Sequence, residues 1–156
     1  MCPPLVIAGK AHDSNDSLHR ERVEARRGRA AIALTEEIVD LLTHVIGAME
    51  EVGYGARDTF PVCLALAEAV INAVKHGHGN DPRNRARICW VVSASAVKLV
   101  VKDDGAGFDP DRVPDPCLPE NLERPGGRGV LIMRSYMSWV RFNDASNRVV
   151  MCRYRS

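Results

Sequence analysis

The stretch Val62 to His76, VCLALAEAVINAVKH, constrains this chain more than any other. Wound at about 100° per residue, it forms a helix that is apolar around nearly its whole circumference, and so a buried one. The exceptions are Glu68, Asn72 and His76, each four residues apart, with Lys75 beside them. They draw one narrow polar line along the helix. A carboxylate and an amide in a core need partners, because burial without them costs several kcal/mol. The line therefore either faces water or borders a polar cavity, and a solvated face is usually wider and more heavily charged. On the functional reading, the Asn72 oxygen completes a Mg²⁺ shell made otherwise of phosphate oxygens and water. Glu68, one turn away, is placed to act as a general base. His76 taken alone reads more readily as a structural hydrogen-bonding residue than as a catalyst.

The surrounding pattern predicts the elements that pack on this helix. Leu34, Ile38, Leu41, Leu42, Val45, Ile46 and Met49 recur at helical spacing, predicting an amphipathic helix over about 30–52 that ends at Gly53-Tyr54-Gly55. Asp58 or Thr59 is placed to cap the second helix, with Pro61 in its first turn and Gly77 at its end. Beyond Pro82 the period changes to that of strands. Arg87 to Ser93 and Val97 to Lys102 read as a hairpin turning at Ser95-Ala96. Val130 to Trp139 reads as a short helix, followed by strands over Val140 to Asn143 and Arg148 to Arg153. A short first strand falls within His19 to Arg29. Segregated helices and hairpin-linked strands give an α+β fold, a two-layer sandwich with a mostly antiparallel sheet and helices on one face. Residues 1–18 read as a flexible arm and 19–156 as a single domain.

Two glycine motifs flank the last elements. Asp103-Asp104-Gly105-Ala106-Gly107-Phe108 follows a strand, where its glycines permit a tight turn and the close approach of a flat ligand. Asp103 is placed to accept a hydrogen bond from an exocyclic amine such as that of adenine. Gly126-Gly127-Arg128-Gly129 opens the Val130-Leu131-Ile132-Met133 helix, freeing N–H groups to hold phosphate while Arg128 adds charge. Each motif alone also suits a plain surface turn.

In order along the chain, however, these features resemble the Bergerat-fold ATPases, which include gyrase-type topoisomerases, heat-shock chaperones, mismatch-repair proteins and histidine kinases. The wording Leu66-Ala-Glu-Ala-Val-Ile-Asn-Ala-Val-Lys-His-Gly77, Asp103-Asp-Gly-Ala-Gly-Phe-Asp-Pro110 and Glu123-Arg-Pro-Gly-Gly-Arg-Gly-Val-Leu-Ile-Met133 is similar to that of the RsbW-like anti-sigma factor serine kinases. The resemblance runs from about residue 30 to the C-terminus. It implies a histidine kinase-like ATP-binding domain in which Asn72 ligates Mg²⁺ and Glu68 is the catalytic base. Asp103 would hold the adenine amine, with Gly105 and Gly107 under the base. Residues 108–128 would be the ATP lid. Gly127, Arg128 and Gly129 would approach the phosphates, with His76 and Arg124 as further phosphate or partner contacts. The implied partners are an anti-anti-sigma (STAS-type) protein carrying the target serine and a sigma factor or equivalent regulator, with the kinase itself a homodimer. The sequence departs from many such relatives at Ser138-Trp139, where they carry acidic residues.

Composition narrows the alternatives. Net charge is +1, which argues against a dedicated nucleic-acid binder. The basic run Arg20 to Arg29, interleaved with Glu21 and Glu24, reads as a solvated surface. No apolar run approaches the roughly 18 residues of a membrane span, and no signal peptide is legible, so a cytoplasmic location is expected. The five cysteines are dispersed and read as buried thiols, not as a zinc site or a disulfide framework. Two other functions compete with the kinase. One is an ATP-binding switch that sequesters a partner without phosphorylating it. The other is a detached histidine kinase catalytic domain, which lacks support because no phosphoacceptor histidine sits on a paired helical hairpin.

Overall fold

A computed structural model describes residues 24–77, 83–107 and 128–156. Five strands form one antiparallel sheet: β1 (Arg26–Ile32), β2 (Ala86–Val92), β3 (Ala96–Lys102), β4 (Trp139–Phe142) and β5 (Arg148–Tyr154), in the spatial order β1-β2-β3-β5-β4. Three helices, α1 (Ile38–Glu51), α2 (Ala56–Asn72) and α3 (Arg128–Tyr136), cover one face. The expected two-layer α+β sandwich is the fold observed.

Strand alternation creates the core. Ile88, Trp90 and Val92 on β2, Val97, Leu99 and Val101 on β3, and Val149 and Met151 on β5 all point towards the helices and are buried. The helices answer with Leu41, Val45 and Met49 from α1, Val62, Leu66 and Val70 from α2, and Met133 from α3. Opposite Trp90 on β1 stands Gly28, and a Cβ there would lie 2.0 Å from the Trp90 ring. The glycine is what lets the indole lie flat across the edge of the sheet.

Several boundaries differ from the sequence expectation for physical reasons. The first helix starts at Ile38, not near residue 30, because Arg26–Ile32 is taken up as β1, paired with β2 from Arg26↔Val92 to Ile32↔Ala86. Leu34, expected in the buried stripe, is 46% exposed at the corner between them. The Glu37 carboxylate pins that corner by accepting the N–H groups of Ala33 at 2.7 Å and Leu34 at 3.0 Å. Those bonds, Leu34 first and then Ala33, hold the carboxyl below its usual range.

The start of α2 differs as well. Its N-cap is Gly55, and neither Asp58 nor Thr59 caps it. Pro61 lies in the second turn, not the first. Its missing N–H leaves the Arg57 carbonyl without its helical donor, and that oxygen accepts instead from the Arg153 guanidinium at 3.5 Å. Asp58 turns inward, bonded by Arg153 Nε at 3.1 Å and by the Ser156 hydroxyl at 2.9 Å. Burial pushes its carboxyl up, but the hydrogen bonds from Ser156 and Arg153 outweigh burial and leave it below its usual range. Trp139, expected to close the third helix, instead opens β4. Of the cysteines, Cys152 is buried while Cys63 and Cys89 are only partly covered; Cys2 and Cys117 lie outside the described residues.

Candidate functional site

The polar line of α2 faces α3. Glu68 and Asn72 are partly buried, and the first turn of α3 rests on them. A Cβ built on Gly129 would come within 2.9 Å of both Asn72 Nδ2 and Glu68 Oε2. A side chain there would displace the ends of Asn72 and Glu68, and the glycine brings the amino-terminal end of α3, whose first N–H groups have no acceptor within the helix, close to the two side chains. Among the described residues no hydrogen bond or ion pair engages either Glu68 or Asn72. Immediately after Asn72 the chain widens into a π-helical turn, Ala73–Gly77. Such turns recur at functional sites because they redirect side chains from the regular helical register.

The second wall comes from the Asp103–Gly107 loop. Asp103 directly follows β3 and is buried, and its carboxylate accepts the Gly105 N–H at 2.7 Å. Gly107 has φ +79°, and a Cβ there would meet the Ala145 carbonyl oxygen at 1.5 Å. The loop is thereby pressed against the β4–β5 turn. Asn147 clamps it from that side, donating to the Gly105 carbonyl at 3.1 Å while its own carbonyl accepts the Asp103 N–H at 3.0 Å.

Between these walls lies a cavity. Asn72, Asp103 and Gly107 border it, and Ala69, Ala73, Val101, Met133 and Phe142 supply apolar sides. A buried carboxylate at one end of an apolar slot suits a flat base bearing an amine. A carboxylate and an amide with no partner among the described residues, under a helix N-terminus, suit phosphate and its cation. The residues present thus fit a magnesium nucleotide. Among the described residues no group of three or more His, Cys, Asp or Glu side chains converges, so a cation beside Asn72 would draw its remaining ligands from phosphate and water.

Most residues singled out from sequence therefore converge. Asn72, Asp103 and Gly107 border one cavity, Gly105 lies in its loop, and Glu68 and Gly129 adjoin it. Arg128 is exposed at the start of α3. His76 falls in the π-helical turn, but its side chain lies outside the described residues, as do Arg124, Gly127 and the expected lid over 108–127. Sequence reasoning missed the β4–β5 turn. Ser146 there has φ 53° and is buried, and with Asn147 it lines the cavity. Residues 144–147 looked like an ordinary hairpin turn. Only Asn147, a residue type that readily bonds neighbouring backbone, offered a signal.

This arrangement defines a class. Residues 24–153 match the model of the histidine kinase-like ATPase domain, and the chain belongs to that family. Among individual relatives, the chain is 36% identical over 86 residues to the anti-sigma F factor of Geobacillus thermodenitrificans, covering 53% of this chain and 58% of the relative. It is 28% identical over 116 residues to the serine-protein kinase RsbW of Staphylococcus epidermidis, covering 69% and 73%. It is 22% identical over 111 residues to the serine-protein kinase RsbW of Oceanobacillus iheyensis, covering 67% and 70%. The chain thus spans little more than half the length of the first of these relatives. Among the described residues, no helix is long and apolar enough to cross a membrane.

Proposed function

We propose that this protein is an ATP-dependent serine kinase that acts as an anti-sigma factor, phosphorylating a serine on an anti-anti-sigma (STAS-type) domain and sequestering a sigma factor or equivalent regulator as a homodimer. The observation that carries the reading is the pairing of Glu68 and Asn72, both unengaged among the described residues, beneath Gly129 at the start of α3. A nucleotide-holding module has no need of a carboxylate there, whereas a phosphotransferase needs a proton acceptor beside the phosphate.

The roles follow from chemistry. Asp103 accepts the adenine amine, and the apolar sides grip the base. Gly127, Gly129 and the first N–H groups of α3 receive phosphate oxygens, with Arg128, Arg124 and His76 adding charge and donors. Asn72 holds Mg²⁺, which neutralises phosphate charge. Glu68 takes the proton from the incoming serine hydroxyl. Phosphoryl transfer depends mostly on such positioning and charge neutralisation.

Thermal unfolding with Mg-ATP tests the site. A ligand at about 100 times its Kd adds about 2.7 kcal/mol of stability, a shift of several degrees for a domain of this size. That shift is expected in the wild type and lost in Asp103→Asn. Transfer of the labelled γ-phosphoryl to a STAS-type serine tests the activity. Transfer that persists in Glu68→Ala would sink the base assignment, and no transfer by the wild type would leave an ATP-binding switch.

A further inference from the structure

The sheet face turned away from the helices carries an unusual charge distribution. None of the five strands contains an aspartate or glutamate, while together they hold nine lysines and arginines. Arg26 and Arg153 are committed to Glu51 and Asp58. The other seven lie at alternation positions on the open face. The register arranges them in rows. One row reads Arg29, Cys89, Val100, Val150 and Arg141 across the sheet, and the next reads Arg27, Val91, Lys98, Cys152 and Trp139. In the first row aliphatic side chains and a thiol occupy the central strands and cations both edges; in the second, Lys98 stands among the central residues, with Arg27 at one edge and Trp139 at the other. A third row adds Arg87, Lys102 and Arg148 at one end. Among the described residues only Arg87 of these cations meets a carboxylate, that of Asp104 at 2.7 Å. Trp139 lies at the β4 edge with the Arg141 guanidinium 5.1 Å and the Lys98 ammonium 6.0 Å from its ring centre.

We propose that this open face docks an acidic amphipathic helix of a protein partner, its apolar side covering Cys89, Val91, Val100 and Val150 and its flanking carboxylates meeting the edge cations. An apolar centre within a charged rim is the anatomy of a protein interface. Single-stranded nucleic acid calls for a series of aromatic platforms where the bases lie, but among the described residues this face presents only two rings, Tyr154 at the far end of β5 and Trp139 at the β4 edge between two cations. A second copy of the chain is disfavoured because like charges would meet across a two-fold axis. The dimensions suit one helix. Seven strand residues at about 3.3 Å each extend about 23 Å, the length of about 15 helical residues. The proposal stands apart from the nucleotide reading, because that cavity lies on the helix side of the sheet.

The probe is a labelled peptide of about 15 residues, with leucines along one helical face and glutamates on both flanks. A version with lysine in place of glutamate and a single-stranded oligothymidylate serve as controls. The wild type should bind the glutamate peptide with salt-sensitive affinity. Binding should weaken about tenfold or more in Arg27→Glu/Arg141→Glu, as expected when complementary rim charge is reversed. The Mg-ATP thermal shift should be unchanged in that variant, which also reports that it is folded. In a two-dimensional NMR spectrum the Trp139 indole signal should move on peptide addition and that of Trp90, buried in the core, should not. Equal binding of the lysine peptide, tighter binding of the oligothymidylate, an unaffected double variant, or self-association that the double variant abolishes would each overturn the proposal.

Discussion

The two ends of α2 treat their polar residues in opposite ways. At the amino-terminal end Asp58 is buried and fully engaged, held by Arg153 and Ser156, and the carbonyl freed by Pro61 is taken up by the same arginine. At the carboxy-terminal end Glu68 and Asn72 meet glycine backbone and no described hydrogen-bonding partner. The first cluster closes on itself and joins α2 to the last residues of the chain. The second leaves its donors and acceptors open towards a cavity. On one helix, then, the same residue chemistry is structural where the fold supplies partners and available for a ligand where it withholds them.

The largest effect that would sharpen this contrast is expected from Asp58→Ala. Removing one member of a buried pair should cost about 3 kcal/mol, read as a lower denaturant midpoint. Nucleotide affinity of the folded fraction should be unchanged; a selective loss of affinity would break the comparison. The same cluster predicts an acid limb. Because the folded-state carboxyl of Asp58 lies below its unfolded value, its contribution is present above the unfolded pKa of about 4 and is lost as pH falls through the folded one. Asp58→Asn should flatten that part of the stability profile.

At the other end the expectation reverses. Asn72→Ala should leave the stability of the ligand-free protein within about 1 kcal/mol of wild type, as removing a side chain with no partner among the described residues does. It should abolish most of the roughly 2.7 kcal/mol that saturating Mg-ATP adds. Destabilisation without ligand would show that Asn72 is a structural residue after all. The smallest effect concerns neither end. Trp139→Ala should cost about 1 kcal/mol or less for the lost cation–π contacts, and calorimetric titration with nucleotide should register no change.

Much of the candidate site was legible because its chemistry sits in short local patterns. Glu68, Asn72, Asp103, Gly105, Gly107 and Gly129 stand out from sequence alone, since a polar residue on an apolar helix and a glycine beside a helix start each break a local rule. The clamp by Asn147, the positive φ of Ser146 and the partnership of Asp58 with Arg153 were not legible, since each joins segments far apart in the chain. The first helix was misplaced for a related reason: Ala30-Ala31-Ile32 suits a helix or a strand, and only pairing with Ala86–Ile88 makes it a strand.

Local periodicity by itself determined that this chain builds a buried helix with one polar line, a strand hairpin and glycine-marked turns, and hence an α+β sandwich. Tertiary structure decided which polar residues are spent on the fold and which remain open, because that depends on what distant segments bring to them. It also decided that cations scattered over five strands gather on one face. Sequence alternation assigns each side chain to one of two sides, but only the pairing of strands shows which sides coincide and which of them the helices leave uncovered.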